Sequence, residues 1–260
     1  MHKHVVLLTL LEHLLKKSAP FFVLDTHAGR GKYDLQSNEA QRSGEWRQGI
    51  DRLRAADTSI PLLQRYLSSV GSTAQSYLGS PLLTAAMLRE NDRAVFVERH
   101  PQEANELQRA LGRRKRVSVE EGDGYAALKA HLPPKENRGL VLLDPPYEND
   151  TEFDDLANAL RNAYARWPNG IYCAWYPIKQ GNADRRLRRT LIDSGLKKLL
   201  ISEFNIKPSD SPLGLNGSGL LMVNPPWQLD EQLRELLPDL HRVLSPDGAG
   251  GVQVEWIAGE

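Results

Sequence analysis

The chain has 260 residues, 40% of them hydrophobic, enough to bury a full core in one α/β domain or a domain with an insert. Its 33 basic residues balance its 33 acidic ones, so any nucleic-acid contact must come from local patches and not from a global positive field. A single cysteine excludes an internal disulfide and a thiolate metal cluster, and no apolar window reaches the roughly 18 residues of a membrane span. These features, with a start unlike a signal peptide, predict a soluble cytoplasmic protein without bound metal.

Val5, Leu8, Leu11 and Leu15 fall at helical spacing before Lys16, Lys17 and Pro20, predicting an amphipathic first helix. His4, at its start, faces either a ligand or solvent, and the residues alone favour solvent. His2 and His4 lack carboxylate company and make weak metal ligands on a fraying terminus. Phe21 to Asp25 reads as the first strand, followed by Thr26-His27-Ala28-Gly29-Arg30-Gly31. An acid at a strand end followed by glycines suits a nucleotide-type cofactor loop, because glycine permits close backbone approach. The loop is not a full G-x-G-x-x-G and no Lys-Ser or Lys-Thr follows, which favours a cofactor lacking a pyrophosphate, S-adenosyl-L-methionine above all. A turn that merely needs glycine is the plainer alternative.

Residues Lys32 to Asn91 are too many for a plain connection, and their charge, Ser, Leu and Arg predict an inserted set of short helices, about residues 36–92. Within it, Ser80 reads as an N-cap with Pro81 at the first helical position, a role sufficient without any ligand; a helix start aimed at the cofactor's carboxylate is the alternative. Ala94 to Val97 predicts a second strand ending in Glu98, placed to bind ribose hydroxyls. Val117 to Val119 leads into Gly122-Asp123-Gly124, where Asp123 either accepts from the cofactor's adenine amine or forms a turn. Acids thus end four strands in series, at Asp25, Glu98, Asp123 and Asp144.

Leu140 to Leu143 is an unalternating apolar run that suits a parallel strand covered on both faces, and Asp144-Pro145-Pro146-Tyr147 stops it. Open α/β sheets place ligands at such carboxyl ends. The lone pair of an adenine amine is conjugated with its ring. Accepting both N–H hydrogens on Asp144 and the Pro145 carbonyl would return that lone pair for attack on a sulfonium methyl. Stacking on Tyr147 would hold a base turned out of its helix. Asp-Pro-Pro-Tyr also reads as a bare strand stop and turn.

Further strands are expected over Gly170–Tyr176, Leu196–Ile206, Ser218–Val223 and Gly251–Ile257, with helices over Asp184–Ser194 and Glu231–Leu244. Cys173 lies in the apolar run Ile171 to Trp175, a packing position. Asn224-Pro225-Pro226-Trp227 repeats the amide-or-acid, Pro-Pro, aromatic pattern, yet its later strand places it farther from the cofactor loops, so it reads as structural. Leu213 to Gly217 reads as a flexible loop able to cover a base. Arg113, Arg114, Lys115 and Arg116, with Arg185, Arg186, Arg188 and Arg189, are candidates for phosphate contacts, although short charge clusters are more often solvated faces.

Leu24-Asp25-Thr26-His27-Ala28-Gly29, Leu143-Asp144-Pro145-Pro146-Tyr147, Trp175-Tyr176-Pro177 and Val223-Asn224-Pro225-Pro226-Trp227 together resemble the bacterial large-subunit ribosomal RNA methyltransferase J family, essentially end to end. The resemblance implies S-adenosyl-L-methionine-dependent methylation of the N6 amine of one adenosine in 23S rRNA, naked or partly assembled, by a monomer. It implies a Rossmann-like class I methyltransferase: a mostly parallel seven-stranded sheet, one domain over residues 1–260, with a helical insertion after the first strand. Carried over by position, cofactor contacts fall on His4, Asp25, His27, Gly29, Ser80, Glu98, Asp123, Gly124 and Asp144. Asp144, Pro145 and Tyr147 are the catalytic set, and Lys3 and Tyr147 touch substrate. His4 moves from solvent to the ligand side on this ground alone. The family also carries a Tyr-Arg-His start and a Phe-His-Ala-Gly-Asn segment ahead of the first helix, whereas here Met1 directly precedes the matching stretch. Either the start is shortened here, or this member lacks a segment that helps close over cofactor and RNA. DNA amino-methylation and a non-catalytic RNA-binding module are the alternative functions.

Overall fold

The computed structural model describes residues 1–58, 60–69, 75–149, 151–180, 183–208, 211–212 and 214–259. The chain opens with α1 (His2–Leu15), which leads into β1 (Phe22–Asp25). Between β1 and the next strand of the main sheet lie β2 (Lys32–Asp34), α2 (Asn38–Ser43), a π-turn (Arg47–Asp51), α3 (Arg52–Ala55), α4 (Pro61–Ser69), β3 (Ser76–Leu78) and α5 (Ser80–Met87). Alternating elements follow: β4 (Arg93–Glu98), α6 (Pro101–Leu111), β5 (Val117–Glu121), α7 (Gly124–His131), β6 (Gly139–Leu143), α8 (Glu152–Arg166) and β7 (Ile171–Lys179). The chain ends with α9 (Ala183–Asp193), β8 (Leu199–Asn205), β9 (Leu215–Val223), α10 (Leu229–Leu244) and β10 (Gly251–Ala258).

The main sheet has eight strands in the order β10-β8-β9-β7-β6-β1-β4-β5. The unalternating apolar runs follow from helices on both faces. Leu140 and Leu142 enter one core cluster with α1, α6 and α10, while Val141 and Leu143 enter the other with α7 and α8. Burying a residue of this size contributes about 1.5–3 kcal/mol, so β6 is held firmly from both sides. β1 pairs in parallel with β4 on one side and β6 on the other. The chain order reverses there, and the carboxyl ends of β1 and β6 open on a switch-point crevice.

The expected seven-stranded sheet is corrected in two ways: there is an eighth strand, and β9 and β10 run antiparallel to their neighbours. The connection from β8 to β9 contains no helix among the described residues, and a parallel return needs a crossover of roughly a dozen residues or more. The short loop therefore sends β9 back the other way. Its carboxyl end, and Asn224 with it, lies beside Tyr172 at the start of β7, opposite the Asp144 edge. Asn224 there donates from Nδ2 to the carbonyls of Pro168 and Gly170, which ties two loops together.

The expected helices between the first two sheet strands are present, joined by an antiparallel β2–β3 pair that the composition did not signal. Ser80 is not the cap of α5. Gly79 holds that position in extended backbone, and the Ser80 hydroxyl turns to Asp25 instead. The helices α6, α7 and α8 were likewise not singled out from sequence. Leu215 to Gly217 belongs to β9, and Leu213 lies outside the described residues.

Candidate methyltransferase site

A cleft of about 720 Å³ opens at the carboxyl ends of β1 and β6, a size typical of small-molecule sites. Its walls combine the first turn of α1, the loop after β1, the start of α5, Asp144-Pro145-Pro146, Trp175, and the ends of β8 and β9. Of the sequence-predicted residues it brings together Lys3, His4, His27, Ser80, Asp144 and Pro145. Asp25, Gly29, Glu98, Asp123, Gly124 and Tyr147 stand outside that lining, on the same carboxyl edge of the sheet.

Asp144 forms an ion pair with Lys3, their side chains 21% and 19% exposed. Burial alone would lower the Lys3 ammonium, but Asp144, aided by Asp25 and Tyr33, holds its pKa above the ordinary value. His4 is buried and shares a hydrogen bond of 2.7 Å between Nδ1 and the Tyr77 hydroxyl. Its ring also stacks on Tyr77 at 5.4 Å, and burial, with Lys3 and the amino terminus nearby, keeps the imidazole neutral. Solvent, the reading from residues alone, is thus overturned for His4.

The His2 side chain is also buried, against the expectation of a fraying terminus. Its Nδ1 lies 3.1 Å from Ser218 Oγ and its Nε2 lies 2.9 Å from Ser202 Oγ. Burial, then the neighbouring amino terminus, drives its pKa down to about 3. Among the described residues, no group of three or more His, Cys, Asp or Glu side chains could hold a metal.

Asp25 supports the cleft from behind. It is 1% exposed, accepts 2.6 Å from the Ser80 hydroxyl, and burial pushes its pKa up to about 6 against the opposing pull of Ser80 and Lys3. The glycine loop is fixed by Glu98, whose two oxygens accept from the Gly29 and His100 amides at 2.7 and 2.8 Å. Gly29 and Gly31 both adopt positive φ, the conformation for which glycine is the permissive residue. Gly124 is required for a different reason: a Cβ there would sit 2.2 Å from the Thr26 carbonyl oxygen. The start of α7 therefore abuts the β1 loop, and Asp123 caps it by accepting from the Ala126 amide at 2.8 Å. A close-packed glycine loop without a phosphate-binding lysine motif suits a cofactor without a pyrophosphate.

Tyr147 adopts φ +54°, turning its ring back on the sheet. Its hydroxyl donates to the Trp175 carbonyl at 2.7 Å, and its ring meets Phe153 at 4.8 Å and Trp175 edge-on at 5.7 Å. Trp175 itself lines the cleft, a residue that sequence reading used only as part of a motif. Cys173 is fully buried, and burial pushes its thiol up to about 12, so it packs and does not react.

The basic clusters lie elsewhere. Arg113 to Arg116 precede β5, at the opposite end of the sheet from the cleft, and Arg114 donates to the Ala85 carbonyl. Arg186 pairs with Asp154, and Arg188 is turned inward onto Glu203. No described helix is long and apolar enough to cross a membrane.

Residues 18–258 match the family described as Ribosomal RNA large subunit methyltransferase D, RlmJ. Ribosomal RNA large subunit methyltransferase J of Haemophilus influenzae is 40% identical, over 99% of this chain and 94% of its own length. The Escherichia coli protein of the same name is 38% identical with the same coverage. A crystal structure of a Legionella pneumophila protein superposes with a TM-score of 0.88 at 33% identity, covering 98% of this chain and 95% of that one. The methyltransferase-like sheet, with a cleft at the carboxyl ends of its strands, agrees with these relationships. The chain belongs to the ribosomal RNA large subunit methyltransferase J family, enzymes that draw their methyl group from S-adenosyl-L-methionine.

Proposed function

We propose that this protein methylates the exocyclic N6 amine of one adenosine in 23S rRNA, naked or partly assembled, acting in the cytoplasm as a monomer. The observation that carries the reading is the position of Asp144 and Pro145 at the tip of β6, open to the cleft and one strand from the glycine loop after β1. S-adenosyl-L-methionine supplies an electrophilic methyl on its sulfonium when bound. His4, His27, Gly29, Ser80, Glu98, Asp123 and Gly124 would hold it, with Asp25 orienting Ser80. Residues 1–260 act as one methyltransferase domain in this reading, with residues 36–92 as an insertion.

The Asp144 carboxylate and the Pro145 carbonyl would accept hydrogen bonds from the two N–H groups of the target amine, whose nitrogen would exchange one of those hydrogens, lost as a proton, for the methyl carbon. That raises electron density on nitrogen at the moment positive charge develops there, the form of electrostatic stabilisation that usually dominates catalysis. Tyr147 flanks the base, its orientation set by the Trp175 carbonyl. Lys3 already pairs with Asp144, so it is placed where substrate arrives.

Tritium transfer from labelled S-adenosyl-L-methionine to 23S rRNA and to duplex DNA, with mass-spectrometric mapping of the product, tests the reading. N6-methyladenosine in the rRNA supports it. Preferential labelling of DNA, or labelling of a ring carbon or ribose oxygen, would overturn it.

A further inference from the structure

Trp175 lines the cleft together with Asp144, Pro145 and Pro146, while the Tyr147 ring, partly exposed like Trp175, packs on Phe153 and the edge of Trp175. The indole is held by its polar end: Nε1 donates to Ser218 Oγ at 2.7 Å. Ser218 has one hydrogen of its own to give, and His2 Nδ1 lies 3.1 Å away to accept it. The other His2 nitrogen then donates to Ser202 Oγ, 2.9 Å away. This hydrogen-bonded chain joins the first turn of α1 to β7, β8 and β9. His2 also stacks on Phe204 at 5.5 Å, so its ring has no freedom to turn.

We infer that Trp175 is the cleft-side stacking surface for the nucleobase presented to Asp144, and that His2 and Ser218 are positioning residues that lock its indole by hydrogen bonding Nε1. The inference deepens the adenine-N6 reading and rests on it. A tryptophan tethered through its only donor exposes an invariant π-face, which accepts a flipped purine without reading its edge. Edge recognition is left to Asp144 and Pro145. Such stacking contributes about 1–3 kcal/mol per base, which is roughly a 5- to 150-fold change in affinity.

The test uses the full chain and a 23S rRNA fragment that the wild-type protein methylates at a mapped adenosine. If the wild type methylates no adenosine amine, the underlying reading fails before the stacking question arises. Given that activity, Trp175→Leu should lower kcat/KM for the RNA about tenfold or more while S-adenosyl-L-methionine affinity by calorimetry is unchanged, and Trp175→Phe should retain most activity. With 2-aminopurine at the mapped position, the wild-type complex should be quenched by stacking and the Trp175→Leu complex should fluoresce more brightly. Ser218→Ala should show intermediate quenching, a readout that loss of folding stability alone would not produce. Equal quenching in wild type and Trp175→Leu, or unchanged kcat/KM in a Trp175→Leu protein that still binds cofactor, would overturn the inference.

Discussion

Replacing Asp144 with alanine should abolish most methyl transfer while leaving the cofactor site standing. The carboxylate is one of two acceptors placed for the target amine, and removing one preorganised group of this kind costs about 2.7–4 kcal/mol in the transition state, or roughly 10²–10³ in kcat. The structural cost is smaller. Asp144 and Lys3 are both about one-fifth exposed, so losing their ion pair should lower stability by about 1 kcal/mol. Lys3 would then keep only Asp25 and Tyr33 to oppose the effect of burial, and its pKa should fall. Asp144→Asn retains one acceptor oxygen without the charge and should fall between alanine and wild type. Single-turnover tritium transfer, urea midpoints and calorimetric binding of S-adenosyl-L-methionine separate these effects. Turnover in Asp144→Ala equal to wild type would refute the catalytic assignment, and lost cofactor binding with lost turnover would move Asp144 to a purely cofactor-holding role.

Other consequences follow from the supporting shell. The raised pKa of Asp25, about 6, means that folding favours its protonated form: this contribution is present below about pH 4 and is lost as pH rises to 6. Relative to wild type, Asp25→Asn should therefore gain stability as pH climbs from about 4 to 6, by up to roughly 2–3 kcal/mol. Parallel pH–stability curves from urea unfolding would exclude this. Gly124→Ala drives a Cβ against the Thr26 carbonyl and should cost about 1–3 kcal/mol together with cofactor affinity, read by thermal melting and calorimetry. An unshifted melt would show that the α7 start moves freely. Glu98→Gln leaves one of the Gly29 and His100 amides facing an NH₂ group, an unmade hydrogen bond worth about 1–3 kcal/mol, and should weaken cofactor binding with little effect on kcat at saturation. An unchanged dissociation constant in that variant would count against a role for Glu98 in shaping the loop.

The sequence by itself determined the central strands and the chemistry at their tips. Leu140 to Leu143 and Phe22 to Leu24 are apolar at every position because both faces are covered, and such runs cannot be soluble loops. Asp144-Pro145-Pro146-Tyr147 ends its strand because two consecutive prolines remove two N–H donors from the ladder. What the tertiary structure decided is which distant residues share the cleft. Strand direction is one example: the short connection after β8 reverses β9, which carries Ser218 to the cleft and the look-alike Asn224 to the far end, where it braces Pro168 and Gly170. The first turn of α1 is another, since His2 and His4 look like frayed solvent-facing imidazoles until β8, β9 and Tyr77 are folded over them. Ser80 reads as an N-cap from sequence, but Gly79 takes that position and the arrival of Asp25 from β1 gives the Ser80 hydroxyl its partner. Local sequence fixes what a residue can donate or accept; long-range strand order and helix packing fix what stands opposite it, and burial then makes that pairing obligatory.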